Sequence, residues 1–338
     1  MPKDHEKFNL GIVGCGLISQ TWLDAIKQSD NVHLIALMDN NEELAKPICE
    51  LTDCPVFKDI EHFIRLSKLD GAIVCTPPVT HFSIVTELLQ AGISVLCEKP
   101  LALNIEEGSK MYETAKQNDV ILMMASKFRY SEDVIRAKSL VATGVLGKIH
   151  FYQNQFCSQI NMHERWNANP KISGGGVIMD NGPHAFDIIR YLLGPIHKIF
   201  AYENGKSFGL DVEDTATISV ITKNNIFATL YLSWSVNLKS GSYIEIYGTD
   251  GGLKVGWKES AYQRSNYPDW IPFGVGYNKI ASFKNQLQNF IATVNGTQEP
   301  LINEQDGLAS IRLVDAAYES IKTGRWVSIE ESQAHAPR

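Results

Sequence analysis

The sequence predicts an α/β protein with a doubly wound parallel sheet in its N-terminal part. A second, α+β part follows, built on a broad, mostly antiparallel open sheet. Three observations carry this: apolar runs that do not alternate up to about residue 125, helical stretches between them, and alternating strand patterns beyond residue 126. We place the domain boundary there, giving 1–125 and 126–338. A chain of 338 residues is long enough for two cores.

In order, the N-terminal runs are NLGIVG, VHLIALMD, GAIVCT, ISVLCEK and VILMMAS. Strands apolar throughout suit a parallel sheet covered by helices on both faces. Among the helices between them, IEEGSKMYETAKQ has Asn104 placed to cap it and Glu107 three residues on. After residue 126 the strands HFYQNQF, DTATISVIT, NIFATLYLSW and YIEIYG are rich in Thr, Tyr and β-branched residues. The helical stretches there are HAFDIIRYLL, FKNQLQNFIATVNG and GLASIRLVDAAYESIKTG, and EESQAHAPR reads as a fraying polar tail.

Composition excludes several roles. A net charge of −7 is wrong for a protein whose main partner is nucleic acid. No apolar run approaches the ~20 residues that span a bilayer, and the polar MPKDHEKF gives no sign of a secretory signal. Cys15, Cys49, Cys54, Cys75, Cys97 and Cys157 form no CxxC pair, so we expect neither zinc nor a disulfide framework, but a reducing cytoplasm. The histidines show no metal spacing, and we assign no metal.

GIVGCGLISQTWLDAI sets Gly14, Gly16 and Ser19 in a G-x-G-x-x-S pattern between the first strand and a helix. Gly14 permits the tight turn and Gly16 the close approach of a pyrophosphate. Cys15, Leu17 and Ile18 complete the turn that offers backbone N–H groups at the helix start. The second strand ends at Asp39, 39 − 16 = 23 residues beyond Gly16. That is close to the ~20 expected for a carboxylate bonded to an adenosine ribose diol. Its charge repels a 2′-phosphate, so NAD is preferred and NADP is the second choice. The other possibility for Asp39 is a turn residue leading into the next helix. Thr76 and Pro77 break the chain at the sheet edge where ligands bind in such folds. His81 either touches the cofactor or caps the helix that it begins.

Glu98-Lys99-Pro100, just past a buried strand, joins GxGxxS, TPPxxH and GGGxxxDxGxH in a fixed order. Together these motifs resemble the Gfo/Idh/MocA oxidoreductases over about residues 8–330. The resemblance implies a Rossmann domain and NAD(P)-dependent hydride transfer on a sugar, cyclitol or nucleotide sugar. It implies that Lys99 reaches the nicotinamide and the reacting hydroxyl, with Glu98 beside the cofactor, and that Asp180 and His184 are the Asp and His of the family's DxGxH motif. An ammonium stabilises a developing alkoxide, and an imidazole is a natural base for an alcohol proton. Because Gly182-Pro183 disfavours helix, we expect the main helix to start at Pro183 with Asp180 on the turn before it. Gly174 to Gly176 are expected to form the floor of the site.

For the substrate we name Arg129, which either bonds hydroxyls or a carboxylate or ties the domains together, and Arg165 with Trp166, an aromatic face beside a guanidinium. The resemblance also implies a homodimer or homotetramer packed through the broad sheet. Two other functions stay open: a glycosidase or lyase that oxidises its substrate transiently with held NAD, and a non-catalytic dinucleotide sensor.

Overall fold

A computed structural model describes residues 7–238 and 240–330; most of EESQAHAPR and of MPKDHEKF lies outside the described residues. In chain order the first elements are β1 (Phe8–Val13), α1 (Leu17–Lys27), β2 (Val32–Met38), α2 (Glu42–Thr52), β3 (Val56–Phe57), α3 (Ile60–Leu66), β4 (Gly71–Val74), α4 (His81–Gln90), β5 (Ser94–Cys97), α5 (Ile105–Gln117) and β6 (Leu122–Met124). Next come α6 (Glu132–Ala142), β7 (Ile149–Cys157), α7 (Pro170–Ser173), α8 (Val177–Leu193), β8 (Ile196–Gly205), β9 (Thr215–Thr222), β10 (Phe227–Ser233), β11 (Ser242–Gly248), β12 (Gly251–Gly256), β13 (Ser260–Arg264) and β14 (Tyr267–Gly274). The chain ends in α9 (Lys279–Val294), α10 (Glu304–Thr323) and β15 (Val327–Ser328).

Two compact units result. One comprises Met1–Ser131, Lys171–Gly174 and Asn278–Leu308; the other comprises Glu132–Pro170, Gly175–Tyr277 and Ala309–Arg338. The division differs from a single break at residue 125, because α9 packs with the first unit. Trp22 of α1, fully buried, meets Phe283 with ring centroids 4.5 Å apart, and Phe8 meets Phe290 at 6.1 Å. Those aromatic contacts outweigh position in the sequence.

The first unit holds a parallel six-stranded sheet in the order β3-β2-β1-β4-β5-β6. Every residue of β4 and β5 is buried, as a sheet covered on both faces requires. The order reverses between β1 and β4, so the crevice where ligands bind in such sheets lies beyond their C-terminal ends. Asn104 caps α5, its side chain accepting from the Glu107 N–H at 2.9 Å.

The second unit holds a nine-stranded sheet, β14-β13-β12-β11-β7-β10-β9-β8-β15. All its pairings are antiparallel except that of β7 with β10. β9 alternates half-buried and buried residues along its length, the mark of a sheet with one covered face. Helix α8 lies against β7, β9 and β10. Across the other face run half-exposed aromatics, with Tyr247 beside Phe151 and Phe151 beside Phe227 in the strand register. Tyr231 and Tyr202 both pair with Thr217. Among the described residues, no helix is long and apolar enough to cross a membrane.

Candidate functional site

In the first unit the glycine turn is fixed by its neighbours. Gly14 has φ of +90°, and a Cβ there would stand 2.7 Å from the Thr76 backbone nitrogen. Gly16 has open space where its Cβ would be, and no described side chain caps the helix that it begins. The Leu17 and Ile18 N–H groups at the helix start, the positive end of the α1 dipole and room above Gly16 fit the pyrophosphate of a dinucleotide. Leu17 is exposed and Ile18 half-buried at this helix start, whereas Cys15 is buried. Ser19, in place of a third glycine, is fully buried, and its hydroxyl donates to the Gly16 carbonyl at 2.6 Å.

Asp39 is buried at the end of β2. One carboxylate oxygen accepts the Cys15 N–H at 2.7 Å and the other accepts the Asn41 N–H at 2.8 Å. The turn role and the cofactor role considered for this residue are therefore compatible. The bond to Asn41 leads the chain into α2, and the bond to Cys15 brings the charge to the glycine turn. Each oxygen retains a second lone pair for a ribose hydroxyl.

His81 takes neither of the two roles expected of it. Its ring is fully buried, with Nδ1 2.9 Å from the Pro100 carbonyl and Nε2 2.8 Å from the Thr76 carbonyl. It braces the Thr76-Pro77 turn against the Glu98-Lys99-Pro100 loop. Burial pushes its pKa down against the pull of the carbonyls. Thr76 and Pro77 are half-buried, and the Thr80 hydroxyl donates to the Pro77 carbonyl at 2.8 Å while sharing a hydrogen bond of 2.9 Å with the Thr76 hydroxyl.

Lys99 lies two residues past the end of β5 and is half-buried. Glu98 is buried and accepts the Trp22 indole N–H at 2.9 Å. Burial pushes the Glu98 carboxyl up, opposed by the charges of Lys99 and Lys127. Trp22 was not legible as a partner of Glu98, because an aromatic on an amphipathic helix looks like ordinary core.

Arg129 lies inside the first unit. It is buried, and its Nη1 donates to the Asp306 carboxylate at 2.7 Å and to the Leu301 carbonyl at 2.9 Å. A guanidinium paired with this half-buried carboxylate fastens elements of the first unit together.

In the second unit, α8 runs unbroken from Val177 to Leu193 with Pro183 inside it. This corrects the expected start at Pro183. Gly182, having no Cβ, removes part of the clash that normally bars helix before proline. Asp180 and His184 are consequently stacked one turn apart on a single helix face. Asp180 is half-buried and His184 buried, with the His184 ring 6.5 Å from that of Phe156. Phe156 belongs to an aromatic cluster with Tyr243 and Trp257, whose own rings lie 4.5 Å apart, and Trp257 is 40% exposed. Arg165 and Trp166 stand exposed on the loop after β7.

The consecutive glycines have a packing reason. A Cβ on Gly175 would meet the Tyr318 hydroxyl at 2.0 Å, and one on Gly176 would meet the Glu213 carbonyl at 2.0 Å. Neither Glu213 nor Tyr318 was evident as a site residue, since each is far from α8 in sequence. Among the described residues, no group of His, Cys, Asp and Glu is arranged to hold a metal ion.

Comparison with known proteins gives the lineage. A model of the oxidoreductase family with the NAD-binding Rossmann fold matches residues 8–126, and that of the family's C-terminal alpha/beta domain matches residues 138–329. The chain belongs to the Gfo/Idh/MocA oxidoreductase family. As a member, it is an NAD-dependent oxidoreductase whose N-terminal unit is the cofactor domain. Relatives of this Gfo/Idh/MocA protein include D-apiose dehydrogenase of Paraburkholderia graminis, 24% identical over 98% of this chain and 92% of that one. Myo-inositol 2-dehydrogenase of Thermotoga maritima is 26% identical over 95% of this chain and 98% of its own. The fold is shared with the WlbA dehydrogenase of Bordetella pertussis, solved with NADH and UDP-GlcNAcA. Its TM-score is 0.86 at 22% identity, over 98% of this chain and all of that one.

Proposed function

We propose that this oxidoreductase oxidises a secondary alcohol of a sugar, cyclitol or nucleotide sugar, with NAD as the preferred acceptor. The observation that carries this is the Asp180–His184 pair, one helical turn apart on α8, in a family whose named relatives act on apiose and inositol. A bound NAD would supply the acceptor for the hydride that leaves the carbinol carbon. His184 takes the hydroxyl proton on an imidazole nitrogen, and Asp180 orients the ring and favours its protonated form. The Lys99 ammonium stabilises the negative charge that develops on the substrate oxygen.

NAD is held by Gly14, Cys15, Gly16, Leu17 and Ile18 at the phosphates and by Asp39 at the ribose. Thr76, Pro77 and Glu98 line the same end of the sheet, and His81 supports them from behind. For the substrate we keep Arg165 and Trp166 and add Trp257, whose exposed ring next to the Phe156 cluster is a surface on which a sugar can stack.

We further propose a cytoplasmic enzyme that assembles as a homodimer or a dimer of dimers through the open face of the second unit's sheet. Support for the assembly comes from the half-exposed aromatics that cross that face. Six free thiols suit a reducing compartment. The test of function is NAD+ reduction across free sugars, inositols and nucleotide sugars, with NADP+ run in parallel. Reduction of NAD+ by at least one polyol is expected; turnover with NADP+ alone would overturn the assignment of Asp39.

A further inference from the structure

The first turn of a helix leaves its N–H groups without intrahelical partners. At α8, the helix carrying Asp180 and His184, no described side chain near in sequence serves them. Two distant residues do, Glu213 first among them. The Val177 N–H donates to the Glu213 backbone carbonyl at 2.9 Å. The Ile178 N–H donates to Glu213 Oε1 at 3.0 Å, and the Gly176 N–H reaches the same carboxylate at 3.1 Å. Tyr318 closes the arrangement, donating its hydroxyl to Glu213 Oε1 at 2.8 Å while accepting the Gly176 N–H at 3.2 Å.

The backbone is shaped to admit this cap. Glycine at 175 and 176 leaves the space that the Tyr318 hydroxyl and the Glu213 carbonyl fill. Glu213 is buried at the end of the loop that leads into β9, so its carboxylate is out of water and held by the helix N–H groups and one phenol. Burial pushes its carboxyl up while those donors pull it down, and the Tyr318 hydroxyl is pushed up, which keeps it a donor. A buried carboxylate at the positive end of a helix is stabilised by the dipole and in turn fixes the helix end. Pro183 removes one intrahelical bond from the next turn, so the cap matters more here than in an uninterrupted helix.

We propose that Glu213, locked by Tyr318, is a positioning residue for the reaction: it sets the height and rotation of α8 and thereby the placement of Asp180 and His184. This rests on the assignment of His184 and Asp180 to substrate chemistry. Glu213 itself touches neither substrate nor cofactor.

The experiment compares Glu213→Ala, Glu213→Gln, Tyr318→Phe and His184→Ala in the full-length protein, using the polyol found in the substrate panel. It measures kcat, KM, NAD+ affinity, thermal midpoint and amide hydrogen exchange over residues 176–180. Misplacing a reacting group by about 1 Å costs on the order of 100-fold in rate. We expect Glu213→Ala to lose about that in kcat, with NAD+ affinity unchanged and faster exchange at the α8 N-terminus. Glu213→Gln keeps an acceptor oxygen for the Ile178 N–H and should recover much of the loss, and Tyr318→Phe should fall between. If Glu213→Ala does not fold, the same comparison is made with Glu213→Gln and Tyr318→Phe. A lower thermal midpoint with wild-type kcat in these variants would reduce Glu213 to a purely structural role and overturn the proposal. Loss of activity in His184→Ala alone leaves the functional reading standing and this one refuted; wild-type kcat in His184→Ala refutes both.

Discussion

The Asp39 carboxylate accepts the Cys15 N–H at 2.7 Å, so the acid that ends β2 is bonded to the middle residue of the glycine turn. Two motifs 24 residues apart in sequence are thereby one structure. Replacing Asp39 with Ser removes a charge-assisted bond to the turn and the acceptor for the ribose. The expected cost in kcat/KM for NAD+ is about 10- to 100-fold, with a smaller loss or a gain for NADP+. Equal losses for both cofactors would show that Asp39 supports the turn without selecting the cofactor.

Gly14→Ala places a methyl group against the Thr76 backbone in a left-handed conformation. Strain of that kind costs about 1–2 kcal/mol before the clash is counted. Thermal unfolding should show the lost stability, and calorimetric titration should show weakened NAD+ binding. A variant that binds NAD+ as tightly as wild type would contradict the account of the turn.

Cysteine reactivity follows from burial. The Cys15 thiol is pushed up to about 12 by burial and by the Asp39 charge beside it, and burial pushes Cys157 to about 11. Cys75 and Cys97 are buried, and burial pushes both thiols well up. The nucleophile is the thiolate, whose fraction grows as pH rises towards each pKa. At about pH 8, iodoacetamide should therefore modify half-buried Cys49 first in the native protein, followed by mass-spectrometric peptide mapping. Early modification of Cys15 would contradict the buried geometry of the turn.

Much of this was legible in the sequence, for physical reasons that also mark where legibility stopped. β4 and β5 announce themselves because strands buried on both faces are apolar throughout. β14 carries Pro268 and Pro272, which argue against a strand; it is a strand because it lies at the sheet edge, where a missing N–H is tolerated. The start of α8 was misjudged because local proline chemistry pointed to residue 183, whereas Glu213 and Tyr318 anchor the helix at Gly176. The roles of Arg129 stayed open in the sequence because its partner Asp306 lies 177 residues on, beyond the reach of any local pattern.

The aromatic face of the second unit should hold an assembly together. Tyr231→Arg puts a charge among Phe227, Phe151 and Tyr202 on the open side of the sheet. Light scattering should report a dimer or larger for wild type and a shift towards monomer for the variant. An unchanged mass would place the interface elsewhere.

Lys99→Met removes the ammonium and keeps the length of the side chain. Loss of one group that stabilises developing charge costs about 100- to 1,000-fold in rate, and NAD+ binding should be little affected. Single-turnover reduction of bound NAD+ by the active polyol measures this. Turnover at the wild-type rate would remove Lys99 from the chemistry.

The central claim, net oxidation of a polyol by NAD+, is tested most directly by stoichiometry. NADH released and polyol consumed are measured together over many turnovers. The account predicts equal amounts of NADH and ketone or lactone product. Product formed with no net NADH would contradict it and point to an enzyme that returns the hydride within each cycle.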